Sequence, residues 1–169
     1  MKTQLKTPFM AVFFALCVLA VFAAPAWSQE KYEALNGVDS VDTIFDFRDG
    51  DLESAPVHLQ LILDTYKAQA IQDISKTPKF VVVFMDSSVK LLSSDRKEFS
   101  AGEQEQLKKL DGVISALAKE GIRLEVCLVA VNYFKVDPNT ISKEIDRVGN
   151  GWISSLGYQQ KGYALVPAY

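Results

Sequence analysis

Arg123-Leu-Glu-Val-Cys127-Leu-Val-Ala-Val-Asn-Tyr133 decides the fold. Ile122, Leu124 and Val126 alternate with Arg123 and Glu125, the period of a strand with one apolar and one charged face. From Leu128 the pattern turns helical, and the changeover falls on Cys127. Strands that run straight into helices build open α/β sheets, where ligands and chemistry collect beyond the carboxyl ends of the strands. A thiol at that edge lies beside the free N–H groups of the next helix, whose partial positive charge favours the thiolate. The charged face puts this strand nearer a sheet edge or a subunit contact than a wholly apolar strand would be.

Working upstream, Ser100-Ala-Gly-Glu103 has the spacing of a capping box, and Leu107, Leu110, Ile114 and Leu117 make the stripe of a helix that Gly121 closes. Residues 93–99 are a polar excursion, a lid or a surface loop. Phe80-Val-Val-Val-Phe-Met85 is apolar without alternation, so it is expected as a central strand covered on both faces. Before it, Leu59, Leu63, Tyr66 and Ala70 predict a helix over residues 54–74, with Ser54 as its cap and Pro56 in its first turn. Val41-Asp-Thr-Ile-Phe-Asp-Phe47 is the first strand, and residues 48–51 are a tight polar turn.

Downstream, residues 128–134 predict a short helix and Asp137-Pro138 another helical turn. Residues 145–148 read as a weak fourth strand. Residues 152–161 read as a helix interrupted by Gly157, and residues 163–167 as the last strand. The alternation predicts α/β architecture: a three-layer α/β/α sandwich with a mostly parallel sheet of about five strands.

The chain begins with Lys2 and Lys6, an uncharged apolar run over residues 9–23, and small residues at Ala24-Pro-Ala26 and Ala26-Trp-Ser28. This is the three-part plan of a secretory signal peptide, and the run is shorter than the ~18 residues of a spanning helix. The expectation is a signal peptide over residues 1–28, a single domain over residues 29–169, and an exported, periplasmic product with no membrane contact after cleavage. Cleavage removes Cys17 and leaves Cys127 as the only thiol. An exported chain with one cysteine cannot close an internal disulfide, so Cys127 is buried and inert, paired between chains, or deliberately free. Losing Lys2 and Lys6 takes the net charge from −3 to −5. An acidic domain without a basic stripe speaks against nucleic acid and anionic membrane surfaces as partners.

Phe80-Val-Val-Val-Phe, Val89-Lys-Leu-Leu92, Glu125-Val-Cys127 and Gly157-Tyr-Gln-Gln-Lys-Gly-Tyr-Ala-Leu-Val-Pro167 come in an order and spacing that resembles the DsrE/DsrF-like family, in particular its exported branch. The last block is the most specific. The resemblance implies a compact α/β/α fold, assembly into homo-oligomers, and a place in sulfur relay. Cys127 stands where relatives carry sulfur as a persulfide, exchanged with a donor or acceptor protein or a small sulfur compound, without a cofactor. Many exported relatives have a histidine after the central strand, whereas here the stretch is Met85-Asp86-Ser87-Ser88.

The alternative is a binding or scaffolding module of the same fold with an inert cysteine, since free cysteine often serves as a small buried hydrophobe. Glu125 would oppose a thiolate if it pointed the same way, and Arg123 would favour it. Asp46, Asp49, Asp51 and Asp86 fall after two strands and could gather a hard cation, but aspartates in such turns commonly bond their own backbone. His58, the only histidine, is expected as a partly exposed helix residue, and no zinc spacing exists. No GxGxxG, GxxxxGK or GxSxG loop occurs, so nucleotide binding and hydrolase chemistry have no support.

Overall fold

The computed structural model describes residues 32–169. The expected leader, residues 1–28, lies outside the described residues. Five strands, β1 (Asp42–Phe47), β2 (Lys79–Phe84), β3 (Arg123–Cys127), β4 (Asp146–Val148) and β5 (Ala164–Ala168), form one sheet in the order β4-β3-β2-β1-β5. Every pairing is parallel. The helices are α1 (Ser54–Lys67), α2 (Gln69–Ile74), α3 (Ala101–Lys119), α4 (Leu128–Tyr133) and α5 (Gly151–Gln160).

Register sorts the side chains into two faces. Thr43, Phe45 and Phe47 lie opposite Phe80, Val82 and Phe84, so these six share one face. Tyr66 of α1 meets Phe80 edge-on at 5.4 Å, which puts α1 over that face, with α3 packed beside it. The stripes Leu59, Ile62, Leu63 and Leu107, Leu110, Ile114, Leu117 are buried there. Each such side chain contributes ~1.5–3 kcal/mol by leaving water. The other face carries Ile44, Asp46, Val81, Val83, Met85, Glu125 and Cys127 under α5. The three layers follow.

The Ser100–Glu103 capping box is present in both directions. Three expectations need correction. The helix over residues 54–74 is two helices, broken at Ala68 in an extended conformation; Tyr66 hydrogen-bonds to the carbonyl of Glu120, and Gln72 Nε2 donates to the Tyr66 carbonyl. The cap of α1 is supplied by Asp51, whose Oδ1 accepts from the amides of Glu53 and Ser54; Ser54 is already helical. α5 runs through Gly157 without a break. β3 lies one strand in from the edge, nearer to it than the central β2, as its charged face implied. Glu125 on that face is nonetheless only 2% exposed. Residues 93–99 are a surface loop, tied down by an Arg96–Asp111 ion pair at 2.6 Å and by a bridge from Ser93 to Ile141.

Candidate functional site

The site grows out of the sheet register. Phe47, Phe84 and Val126 are in step across β1, β2 and β3. The next residues along, Arg48, Met85 and Cys127, therefore form a row at the carboxyl edge on the α5 face. The amide of Met85 donates to the Phe47 carbonyl at 2.8 Å and that of Arg48 to the Ala168 carbonyl at 2.9 Å, which fixes the row.

Three loops close around it. Gly50 packs so tightly on Ser87 that a Cβ at Gly50 would collide with it, and Ser87 Oγ donates to the Arg48 carbonyl. Ser88 Oγ, fully buried, lies 2.7 Å from the Met85 carbonyl and 3.1 Å from that of Phe47. From the third side Gly151, the first residue of α5, abuts Met85 and Cys127. Asn150 caps α5 by accepting from the Trp152 amide at 2.9 Å. Asp86 has φ +55°, a left-handed conformation that short polar side chains tolerate better than most.

Cys127 is 5% exposed and forms part of the wall of a cleft of about 270 Å³. The cleft is mostly apolar, with Met85, Val129, Ala130 and Phe134 lining it and Tyr133 and Trp152 standing at an exposed rim. Arg48, Asp86 and Asn150 are its polar members. The Arg48 guanidinium grips Asp46 through Nε at 2.9 Å and Nη2 at 2.8 Å, and this hydrogen bonding raises its pKa further above the ordinary arginine value. The cleft that holds the thiol is thus lined by a guanidinium paired with Asp46 and by the Asp86 carboxylate.

Glu125 points to the same face as Cys127, about 7 Å along the strand. Its carboxylate is fully engaged. Tyr158 OH donates to Oε1 at 2.7 Å, Arg123 Nε donates to the same oxygen at 2.8 Å, and Ser154 Oγ donates to Oε2. Arg123 reaches on to Asp146 at 3.0 Å. Burial, then the contact with Glu125, raises the Tyr158 pKa well above its ordinary 10.0. This network is what fastens α5 to β3 and so holds Gly151 against the cysteine. Sequence reading missed Glu125 as a buried group. The available signal was Ser154 and Tyr158, hydroxyls one turn apart on α5.

The other expected residues do not join the site. Asp49 pairs with His58 at 2.8 Å and Asp51 caps α1. His58 lines a different cleft from that of Cys127 and is not its base in this arrangement. No group of three or more His, Cys, Asp or Glu able to hold a metal occurs among the described residues. Tyr158 of α5 and Tyr163 meet in a tilted ring contact at 5.0 Å, both half-buried.

The DsrE/DsrF-like family model matches residues 50–167, most of the chain. The chain belongs to the DsrE/DsrF-like family. An uncharacterized protein of Aquifex aeolicus is 26% identical over 170 residues, 98% of this DsrE-like chain and 68% of that protein. Among solved structures, MTH1491 of Methanobacterium thermoautotrophicum, a protein of unknown function, has a TM-score of 0.57 at 16% identity over 76% of this chain and 99% of its own. The ychN protein of E. coli has a TM-score of 0.49 at 11% identity, over 77% of this chain and 99% of its own. The likeness to MTH1491 shows a shared α/β fold.

Proposed function

We propose that this protein is an exported, periplasmic sulfur-relay carrier that holds sulfur as a persulfide on Cys127. The observation that carries the reading is the placement of the chain's one described thiol in an open cleft at the carboxyl edge, beside the Arg48 cation, in a DsrE-like fold. Sulfur donors such as polysulfide, thiosulfate or a protein persulfide are anionic, and the polar groups they meet are Arg48, held by Asp46, with Asp86 and Asn150. The Cys127 thiolate attacks the sulfane sulfur of the donor. The donor's S–S bond breaks, the remaining thiolate or sulfite leaves with the electron pair, and Cys127–S–SH remains. No external oxidant is needed, because the sulfane sulfur moves without net electron transfer. The apolar walls shelter the persulfide from water until an acceptor thiolate takes its outer sulfur by the same exchange. Neither half needs a cofactor.

The competing reading is a binding or scaffolding module with an inert cysteine. The tight cover of Gly151 and Met85 over Cys127 favours it. Alkylation of the folded protein with a small thiol reagent separates the two. A carrier reacts while folded and is protected by prior loading with polysulfide; an inert cysteine reacts only after unfolding.

We also infer assembly into homo-oligomers through the outer face of α5, where Trp152, Ile153 and Leu156 are exposed. The sheet edges suit strand addition poorly. Ala168 addresses β1, so Pro167 faces outward and offers no N–H, while β4 is three residues long and charged. An apolar helix face is then the better contact.

A further inference from the structure

Charge around the Cys127 cleft is paired on every side but one. Arg48 commits its guanidinium to Asp46, through Nε at 2.9 Å and Nη2 at 2.8 Å. Behind the cysteine, Glu125 is met by Arg123 at 2.8 Å. The Lys90 ammonium lies over the Phe134 ring at 5.5 Å and lines a neighbouring cleft, not this one. Asp86 lines the thiol cleft and is exposed. Among the described residues its carboxylate takes part in no hydrogen bond and no ion pair. It acts on the Arg48 guanidinium only through space.

The fold holds this carboxylate in place. Asp86 directly follows Met85 at the carboxyl end of β2, the central strand. Its φ of +55° is left-handed, a conformation that aspartate and asparagine adopt more readily than other side chains. The buried Ser88 hydroxyl, against the Met85 and Phe47 carbonyls, secures the turn. A charge at such a place needs no contact to bias what approaches, because it acts over a screening length of ~8–10 Å. With Arg48 offset by Asp46, an incoming molecule meets one unpaired negative charge at the mouth and apolar walls within. The Tyr133 ring, 78% exposed, stands on the rim, and aromatic faces attract cations.

We propose that Asp86 sets the donor preference of this cleft: small sulfur anions are disfavoured, and the preferred donor is a cysteine persulfide on a peptide segment with a basic residue beside it. This rests on the carrier reading of Cys127 and names its substrate. The basic side chain meets Asp86 and the Tyr133 ring while the sulfane sulfur reaches the thiolate. A bond forms between Cys127 Sγ and that sulfur, the donor's S–S bond breaks, and the donor peptide leaves as its thiolate with the electron pair. Polysulfide and thiosulfate still load the thiol, but more slowly.

Methanethiosulfonates of similar size that carry a trimethylammonium, a hydroxyl or a sulfonate group test the preference. Each modifies a thiolate with loss of methanesulfinate. Their rates on the folded protein, each divided by the rate with free β-mercaptoethanol, are measured in the parent and in Asp86→Asn. Asparagine removes the charge and tolerates the same backbone. The expected order in the parent is cationic, neutral, anionic. Asp86→Asn lowers the cationic-to-anionic ratio by about three-fold or more, and added salt lowers it in the parent. A change in the thiol's own reactivity acts on all the reagents alike and cancels in the ratio. Synthetic cysteine-persulfide peptides complete the test: by intact mass, one with arginine beside the cysteine loads Cys127 faster than one with glutamate there. An anionic reagent as fast as the cationic one, a ratio indifferent to Asp86→Asn or to salt, or equal loading by the two peptides overturns the preference and leaves the carrier reading standing. A folded thiol that reacts with none of the reagents overturns both.

Discussion

A Cβ placed on Gly151 would lie 3.0 Å from the Cβ of Cys127 and 2.6 Å from the sulfur of Met85. The start of α5 thus rests directly on the cysteine, and only a residue without a side chain fits. Gly151→Ala is expected to cost ~1–3 kcal/mol through overpacking, because the buried Met85 side chain and the Cys127 Cβ must give way. Urea unfolding measures this cost. The same variant should change the rate of thiol modification in the folded state, since the cleft wall moves with α5. Unchanged stability together with an unchanged rate would show that the contact is slack.

The buried Glu125 depends on donors from α5. Tyr158→Phe removes one of them and should cost ~1.5–3 kcal/mol, the range for a hydrogen bond to a charged group. Glu125→Ala should cost more, because it strands the hydroxyls of Ser154 and Tyr158 together. Equilibrium unfolding of both variants checks the order.

The same tyrosine predicts the alkaline limb of stability. Its folded pKa is raised above the unfolded value of 10.0. Above pH 10 the unfolded chain therefore releases a proton that the folded chain retains, and stability falls as pH rises. The contribution is fully present below pH 10. Tyr158→Phe should show a flatter decline over this window, and parallel slopes for the two proteins would contradict the burial of the phenol.

Asp51 predicts the acid limb. Hydrogen bonds from the Ser54 amide first, then from Glu53, lower its pKa below 3.8. Its charge-dependent stabilisation is present above that value and is lost as pH falls through the folded pKa. The stability difference between the protein and Asp51→Asn should therefore be constant near neutrality and shrink on acidification. A difference that is independent of pH would remove Asp51 as a charged cap.

Ile153 tests assembly. Ile153→Glu puts a charge into the exposed apolar face of α5 without touching the core. Light scattering should show a lower mass for the variant than for the parent. A monomeric parent would refute the oligomer outright.

The sheet could be read from the sequence because its signals are local. Phe80 to Met85 is apolar throughout since both faces are covered, and the Ser100–Glu103 box is a contact within four residues. What stayed hidden depends on distant partners. Glu125 looks like a solvated strand residue until Ser154 and Tyr158, 29 and 33 residues on, are folded over it. Asp49 looks like a turn residue until α1 brings His58 against it. The break at Ala68 falls among good helix formers, and nothing in their propensities marks it. Cys127 was placed correctly at a strand end, but its burial beneath Gly151 came from a crossover that no neighbouring residue announces.

The intact mass of the folded protein after incubation with polysulfide or thiosulfate reads persulfide loading of Cys127 itself. The expected result is a single added sulfur atom that a thiol reductant removes and that Cys127→Ser never acquires. An unchanged mass in the parent, or the same gain in the variant, would contradict it.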